Sequence, residues 1–401
     1  MTLDVHALQR ALMEIPRVDD DGGGYMRELV AVLVAGGLPL WRVSHALMTM
    51  HPEVVWRTVQ WESGQDPVVR DQPHARVTDP FYTRSPVMLV RGRSQPVHVP
   101  LVAGELPFPI CEDLRARGGT DYYAQGLPFT SGQVSYVSFA TREPGGFSGE
   151  HVRVFAALGP FLARRLELES SYHGTRALLD VYLGRNAARR VLAGAFQRGE
   201  GELIDAAIWY SDMRDFTGLS GRSAPAQLVE TLDAYFDAIA SAIAEHGGEV
   251  LKFIGDAVLA IFPVGAAPRT ACLAARAAAD AAFAALAGFN LRRAADGEGP
   301  LAIGVALHRG QVMYGNIGAR DRLDFTVISS AVNEAARLEG LCKRLGTPLA
   351  LSDAFVGAWR GGADEVAEEL VDLGLYALKG VAAPLRVHTP RVLLAGEATG
   401  A

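Results

Sequence analysis

Apolar and polar positions along the chain change period several times, and those changes divide it. Helical spacing runs through YMRELVAVLVAGG, and VVWRTVQWES, PVMLVRG, QPVHVPLV and QVSYVSFAT then show the short β-branched and aromatic runs of strands. EPGG breaks this pattern, and SGEHVRVFAALGPFLARRLELE returns to a helical period with Ser148 as its cap. Helix, strands and helix in that order predict an α+β domain over residues 25–168. Residues 150–198 stay helical, with Val154, Leu158, Phe161, Leu162, Leu178, Val181, Tyr182 and Val191 as an apolar stripe in need of a partner.

From residue 203 the elements alternate. DAAIWYS reads as a strand, and SAPAQLVETLDAYFDAIASAIAEHGG as a helix capped by Ser223, with Pro225 in its first turn and Gly247 past its end. VLKFIGDAVLAIFP reads as a hairpin turning at Gly255-Asp256. An Ala-rich helix over 268–293 follows, then strands LAIGVALH, GQVMYGNIG and DFTVI, and a helix from Ser330. A β-α-β-β-α-β order with added strands predicts a ferredoxin-like α/β sandwich, again of the α+β class. The expected organisation is an N-terminal tail over 1–24, ending in DDDGGG, a domain over 25–168, a helical linker over 169–202, a second domain over 203–393, and a tail over 394–401.

A chain of 401 residues has room for two or three domains, and 49% apolar with 21% charged residues is the balance of a folded protein. A net charge of -7 argues against a nucleic-acid surface as the main partner, though not against a nucleotide. Cys111, Cys272 and Cys342 are far apart and show no zinc spacing, as reduced thiols in a cytoplasmic protein would be. MTLDVHALQR lacks the apolar core of a signal peptide, and LVAVLVAGGLPLW is too short and too broken to span a bilayer, so no membrane partner is expected.

Candidate chemistry concentrates in the second domain. Asp212 ends its first strand and Asp256 sits at the hairpin turn, and in a ferredoxin-like sheet those elements are neighbours. Two carboxylates about 4 Å apart repel by about 4 kcal/mol at an intermediate dielectric, and a divalent cation turns that cost into a site for Mg²⁺ or Mn²⁺. Taken singly, Asp256 reads as a turn residue and Asp212 as a helix or loop cap. Asn333 and Arg337 are four apart on one helical face, beside a stripe of Val332, Ala335, Leu338, Leu341 and Leu345, although Arg337 alone reads as a partner for Glu334. Lys252 alone is a snorkelling strand lysine, Thr326 an ordinary strand residue, and Lys379 in ALKGV a turn lysine.

Together, AAIWYSDMRDFTGLS, EVLKFIGDAVLAIF, RLDFTVISSAVNEAARLE and LGLYALKGVAAPLRVH, in that order over 203–390, resemble the catalytic domain of class III adenylyl/guanylyl cyclases. The resemblance implies two Mg²⁺ or Mn²⁺ ions per site on Asp212 and Asp256, and a purine read by Lys252 and Thr326. It further implies Asn333 on the ribose, Arg337 on the pentacovalent phosphate and Lys379 on the β- and γ-phosphates. It also implies a head-to-tail homodimer in which each site draws metal and purine residues from different subunits. A Lys donor and a Thr acceptor favour ATP over GTP, and Thr at 326 resembles the subgroup often linked to bicarbonate stimulation. The chain departs from the family at Asp215, where Gly is usual, and at Ser329-Ser330, where Gly followed by Asp or Pro is common; Ser330 is expected to cap the helix.

HGGEV superficially resembles a diguanylate cyclase signature, but Val250 occupies the second acid's place and the glycines end a helix. FATREPGGFSGEHVRVFAALGPFLA and the element order before it resemble a GAF-type sensor, which implies an unidentified small-molecule ligand; a non-sensing dimerisation domain is the other reading. His98 and His151 read as structural or exposed. The expected function is a cytoplasmic adenylate cyclase forming cyclic AMP and pyrophosphate, the alternative being a catalytically idle cyclase-like module.

Overall fold

A computed structural model describes residues 3–16, 22–73, 83–93, 95–102, 104–265, 267–360, 369–381 and 383–394. The chain divides into two compact units, Met1–Tyr182 and Leu183–Ala401. The expected tail over 394–401 lies outside the described residues apart from Leu394.

In the first unit, helices α1 (Val5–Glu14) and α2 (Gly23–Ala35) precede strands β1 (Arg42–Met48), β2 (Val54–Glu62) and β3 (Val68–Pro73). Helix α3 (Pro86–Arg93), strand β4 (Val97–Pro100), helix α4 (Pro109–Ala116), strands β5 (Asp121–Pro128) and β6 (Val134–Thr141), and the long helix α5 (Gly149–Leu183) follow. The strands form one sheet in the order β3-β2-β1-β6-β5-β4. Alternate residues of β1 and β6, such as Val43, Leu47, Val137 and Phe139, pack under α1, α2 and α5, while Val90, Cys111 and Leu114 of α3 and α4 cover the other face.

Three expectations change here. The stretch expected to be a tail contains α1, capped by the Asp4 carboxylate on the Ala7 N–H and held by buried Leu8 and Leu12. PVMLVRG is α3 rather than a strand: Pro86 opens a helical turn, and the helix lies so close to β5 that only Gly126 fits beneath the Val90 carbonyl. The domain boundary expected at 168 falls inside a helix that runs unbroken to Leu183, with Ser148 bonded to the His151 N–H at its start as expected.

The second unit opens with the short helix α6 (Arg185–Leu192), then β7 (Gly201–Met213), α7 (Phe216–Arg222), α8 (Pro225–Glu245) and the hairpin β8 (Glu249–Ile254) and β9 (Ala257–Pro263). Helix α9 (Pro268–Ala295), β10 (Ile303–Ala319), β11 (Arg322–Ile328), α10 (Ser330–Leu345) and β12 (Leu349–Ser352) come next, then α11 (Asp353–Arg360), β13 (Leu370–Tyr376), β14 (Leu385–Pro390) and α12 (Arg391–Leu394). The strand order is β13-β14-β12-β10-β7-β9-β8, with β11 paired to the far half of β10. The β7-α8-β8-β9-α9-β10 run thus lies in spatial order 4-1-3-2, with each neighbouring pair antiparallel. Helix α9 is long and apolar enough to cross a membrane, yet its face from Ala271 through Ala282 joins the core around Trp209, Tyr235 and Phe262.

LAIGVALH and GQVMYGNIG, expected as two strands, are the single strand β10, because Gly310 serves a close approach to a helix rather than a turn. Helix α8 is capped by Ala224 instead of Ser223, since Pro225 at its first position holds the preceding residue extended.

Candidate active site

Asp212 lies at the end of β7, in register with Gly304 of β10, and Ser211 before it pairs with Val258 of β9. Asp256 stands in the two-residue turn between Ile254 and Ala257, which Gly255 opens with φ +66. Because β7 and β9 are neighbours, the two carboxyl groups meet within hydrogen-bonding reach. Asp212 is pushed up to about 6, first by burial and then by its hydrogen bond to Asp256 and that group's charge, with the Met213 N–H and Arg214 opposing.

Two hard, anionic oxygen donors that resist joint ionisation suit a small divalent cation, and Asp212 and Asp256 would hold it. Among the described residues no group of three or more His, Cys, Asp and Glu is placed to hold a metal, so backbone, water or substrate oxygens would complete the shell. A third carboxyl lies close by. Glu339 of α10 is buried and pushed up to about 7 by that burial; Arg214 opposes, and Asp212 and Asp256 add to the rise. The Arg214 guanidinium is 3.7 Å from Glu339 and donates to the Thr347 carbonyl at 3.3 Å, spanning Gly304, where any side chain would collide with both.

Asp215 carries a left-handed backbone with φ +56, the one such residue besides glycine among those described. Glycine adopts this conformation freely, and Asp tolerates it better than most residues. Its carboxylate turns to Arg222 at 3.3 Å, on the next helix. Ser329 rather than Ser330 caps α10, its Oγ accepting from the Val332 N–H at 3.2 Å, and its backbone is extended, so no glycine is required.

The purine residues expected from the sequence stand on β8 and β11. Lys252 is more open than its apolar hairpin suggested: its side chain is 45% exposed and Phe253 and Ile254 beside it are exposed as well. Its ammonium donates to Asp324 Oδ2 at 2.5 Å. Asp324 is two residues from Thr326 on β11 and so shares its face. Asp324 was not among the expected site residues, because a carboxylate 72 positions from its lysine gives no local signal.

Helix α10 presents Asn333 and Arg337 on one exposed edge. Its other face lies along alternate residues of β10. Ala331 sits over Gly310, whose Cβ would come 2.5 Å from that of Ala331; Glu334 faces His308; Leu338 packs on Ala306; and Glu339 covers Gly304. Glu334 is thereby turned to His308 at 3.4 Å, not to Arg337. Lys379 is exposed on the turn after β13, and its neighbour Leu378 is buried with Leu338 and Leu341, which sets the lysine beside α10.

Within one chain the acidic pair and Thr326 stand at different points along β10, Asp212 in register with Gly304 and Thr326 with Gly315. Among the described residues no hydrogen bond or ion pair joins Lys252, Asn333, Arg337 or Lys379 to Asp212 or Asp256. His98, in the first unit, is paired with Asp121 at 2.9 Å.

Residues 201–347 match the family model described as the adenylate and guanylate cyclase catalytic domain. An adenylate cyclase of Anabaena cylindrica is 36% identical over 153 residues, 37% of this chain and 30% of its own length. Adenylate cyclase 1 of Rhizobium meliloti (strain 1021) is 33% identical over 147 residues, 37% of this chain and 22% of its own length. The chain thus spans less than a third of either curated relative. Among solved structures, the adenylyl cyclase CyaB from P. aeruginosa is 25% identical with a TM-score of 0.41, over 47% of this chain and 94% of that one. The guanylyl cyclase Cya2 is 28% identical with a TM-score of 0.41, over 47% and 92%. The family model and the curated relatives support an adenylate/guanylate cyclase catalytic domain in this region.

Proposed function

We propose that residues 203–393 form the catalytic domain of an adenylate cyclase, which makes cyclic AMP and pyrophosphate from ATP as a homodimer controlled by a GAF-like N-terminal unit. The observation that carries this reading is the meeting of the Asp212 and Asp256 carboxyl groups at the end of β7. A cation held by that pair supplies, when bound, charge neutralisation at the α-phosphate and a lowered pKa for the ribose 3′-hydroxyl.

The chain's own residues account for the rest. Lys252 donates to purine N1, an acceptor in adenine and a donor in guanine, while Thr326 accepts from the 6-amino group; a mismatch leaves polar groups unpaired. Asn333 holds the ribose so that its 3′-oxygen stands in line with the α-phosphorus. That oxygen bonds to phosphorus, the α–β bridging bond breaks, pyrophosphate leaves with the bond's electrons, and the hydroxyl proton passes to solvent. Arg337 faces the charge that grows on the α-phosphate oxygens, and Lys379 holds the β- and γ-phosphates.

The separation of Asp212 from Thr326 along β10 favours the dimer, since a second copy would set the acidic pair of one chain beside the purine residues of the other. Exposed Phe253 and Ile254 next to Lys252 offer such a copy an apolar rim. The test is cyclic nucleotide formation by the full chain with ATP or GTP and Mg²⁺ or Mn²⁺, beside Asp256→Ala. Cyclic AMP from the unaltered protein alone is expected; product from GTP only, or equal product from Asp256→Ala, refutes the reading.

A further inference from the structure

The seat of α10 on β10 is built from small residues at Gly304, Ala306 and Gly310, with His308 as the large exception. His308 is 4% exposed, and each of its ring nitrogens faces a polar group on a different element. Nδ1 lies 2.8 Å from the Ser352 hydroxyl, and Nε2 lies 3.4 Å from the Glu334 carboxylate. Ser352 Oγ also accepts from the Phe355 N–H at 3.2 Å, at the start of α11.

The ionised Glu334 carboxylate can only accept, so the ring proton sits on Nε2 facing it, and Nδ1 is left to accept from the Ser352 hydroxyl. Burial pushes His308 down to about 4, so the ring is neutral and keeps this tautomer at neutral pH. We propose that His308 and Glu334 are positioning residues that set the rotation of α10 about its own axis, and with it the aim of Asn333 and Arg337 at the nucleotide.

Gly310 under Ala331 fixes how closely the first helical turn lies on the sheet, and Leu338 on Ala306 with Glu339 beside Arg214 seats the later turns; between them the polar contact to the sheet is Glu334 on His308. The His308–Glu334 contact at 3.4 Å holds the intervening turn, one residue from Asn333 and three from Arg337. Side chains stand about 5–6 Å from a helix axis, so a rotation of about 10° displaces them by about 1 Å. A misplacement of about 1 Å can cost about 100-fold in rate.

This inference rests on the adenylate-cyclase reading for its kinetic effect, but not for its spectroscopic one. Glu334→Leu, which removes the acceptor, is expected to lower kcat for cyclic AMP formation about 10- to 100-fold with KM for ATP nearly unchanged. Glu334→Gln keeps an acceptor and is expected to restore most of that loss. In ¹⁵N-histidine spectra of the full chain, assigned with His308→Gln, His308 is expected to be the neutral Nε2–H tautomer at pH 7, with its Nε2 resonance moved by Glu334→Leu. A protonated or Nδ1–H ring, or unchanged kcat in Glu334→Leu, overturns the proposal. So does a loss of kcat confined to temperatures at which Glu334→Leu is partly unfolded. If the unaltered protein forms no cyclic nucleotide, the cyclase reading fails while the spectra still decide the role of His308.

Discussion

Asp256→Asn is expected to shift thermal stability in opposite directions with and without a divalent cation. The perturbation removes one member of the acidic pair and leaves a side chain equally suited to the turn. In the folded protein Asp212 holds its proton up to about 6, against an ordinary 3.8. The fold therefore binds more protons than the unfolded chain between those values. Its stability is complete below 3.8, falls as pH rises through the window, and stays low above 6. At about 1.4 kcal/mol per pH unit the whole penalty approaches about 3 kcal/mol, and solvent screening of a half-exposed group reduces it to about 1–2 kcal/mol. Burial is the larger cause and persists in Asp256→Asn, so the variant recovers about 0.5–1 kcal/mol at pH 7.5 and nothing at pH 3.5. At about 2–4 °C per kcal/mol for a unit of this size, Tm rises by about 1–4 °C in EDTA. A cation at 100 times its Kd stabilises the unaltered protein by about 2.7 kcal/mol, an effect the variant largely loses. Scanning calorimetry of both proteins at pH 7.5, in EDTA and in excess Mn²⁺, should show the order of the two melting temperatures reversing. The same order in both buffers, or an equal gain in EDTA at pH 3.5, refutes the reasoning.

Three further outcomes are expected. Arg337→Ala should lower kcat by about 10³-fold or more with little change in KM or Tm, because Arg337 is exposed and, in the proposed reaction, faces charge that develops on the α-phosphate; steady-state kinetics and a melting curve check both halves. Lys252→Ala should raise KM for ATP and reduce the preference for ATP over GTP while leaving Tm within a degree or two, as measured by competition between the two nucleotides. Gly310→Val should destabilise the second unit by about 1–3 kcal/mol, since even a methyl group at that position meets Ala331, and a urea titration with an unchanged m-value would show it.

The acidic pair was legible because strand order follows from the β-α-β-β-α-β alternation, and strand order decides which turn meets which strand end. Asn333 and Arg337 were legible from helical spacing alone as residues sharing a face. What stayed hidden depends on contacts between distant positions. Asp324 pairs with a lysine 72 residues away, and neither residue's neighbours announce it. The seat beneath α10 is written in the alternate positions Gly304, Ala306, His308 and Gly310, but a glycine in a strand reads first as a break. Helix α1 was missed for a different reason. Its Leu8, Leu12 and Ile15 have helical spacing, but the acid and glycine run that follows gave the whole segment the look of a tail. In α3, β-branched composition suggested a strand, whereas Pro86 and packing against β5 produced a helix.

The Lys252–Asp324 ion pair has a consequence for how a base would be chosen. A lysine carries about 2 kcal/mol of side-chain freedom, and the carboxylate confines that motion before any nucleotide arrives. Two of the three ammonium hydrogens remain to be aimed. Recognition by a tethered donor is stricter than by a roaming one, because an ill-matched base cannot be met halfway. The tether itself is half exposed and electrostatic, so added salt loosens it. If Lys252 reads the base as proposed, fidelity becomes a property of the surrounding solution as well as of the fold, declining with ionic strength even where the nucleotide still saturates the site.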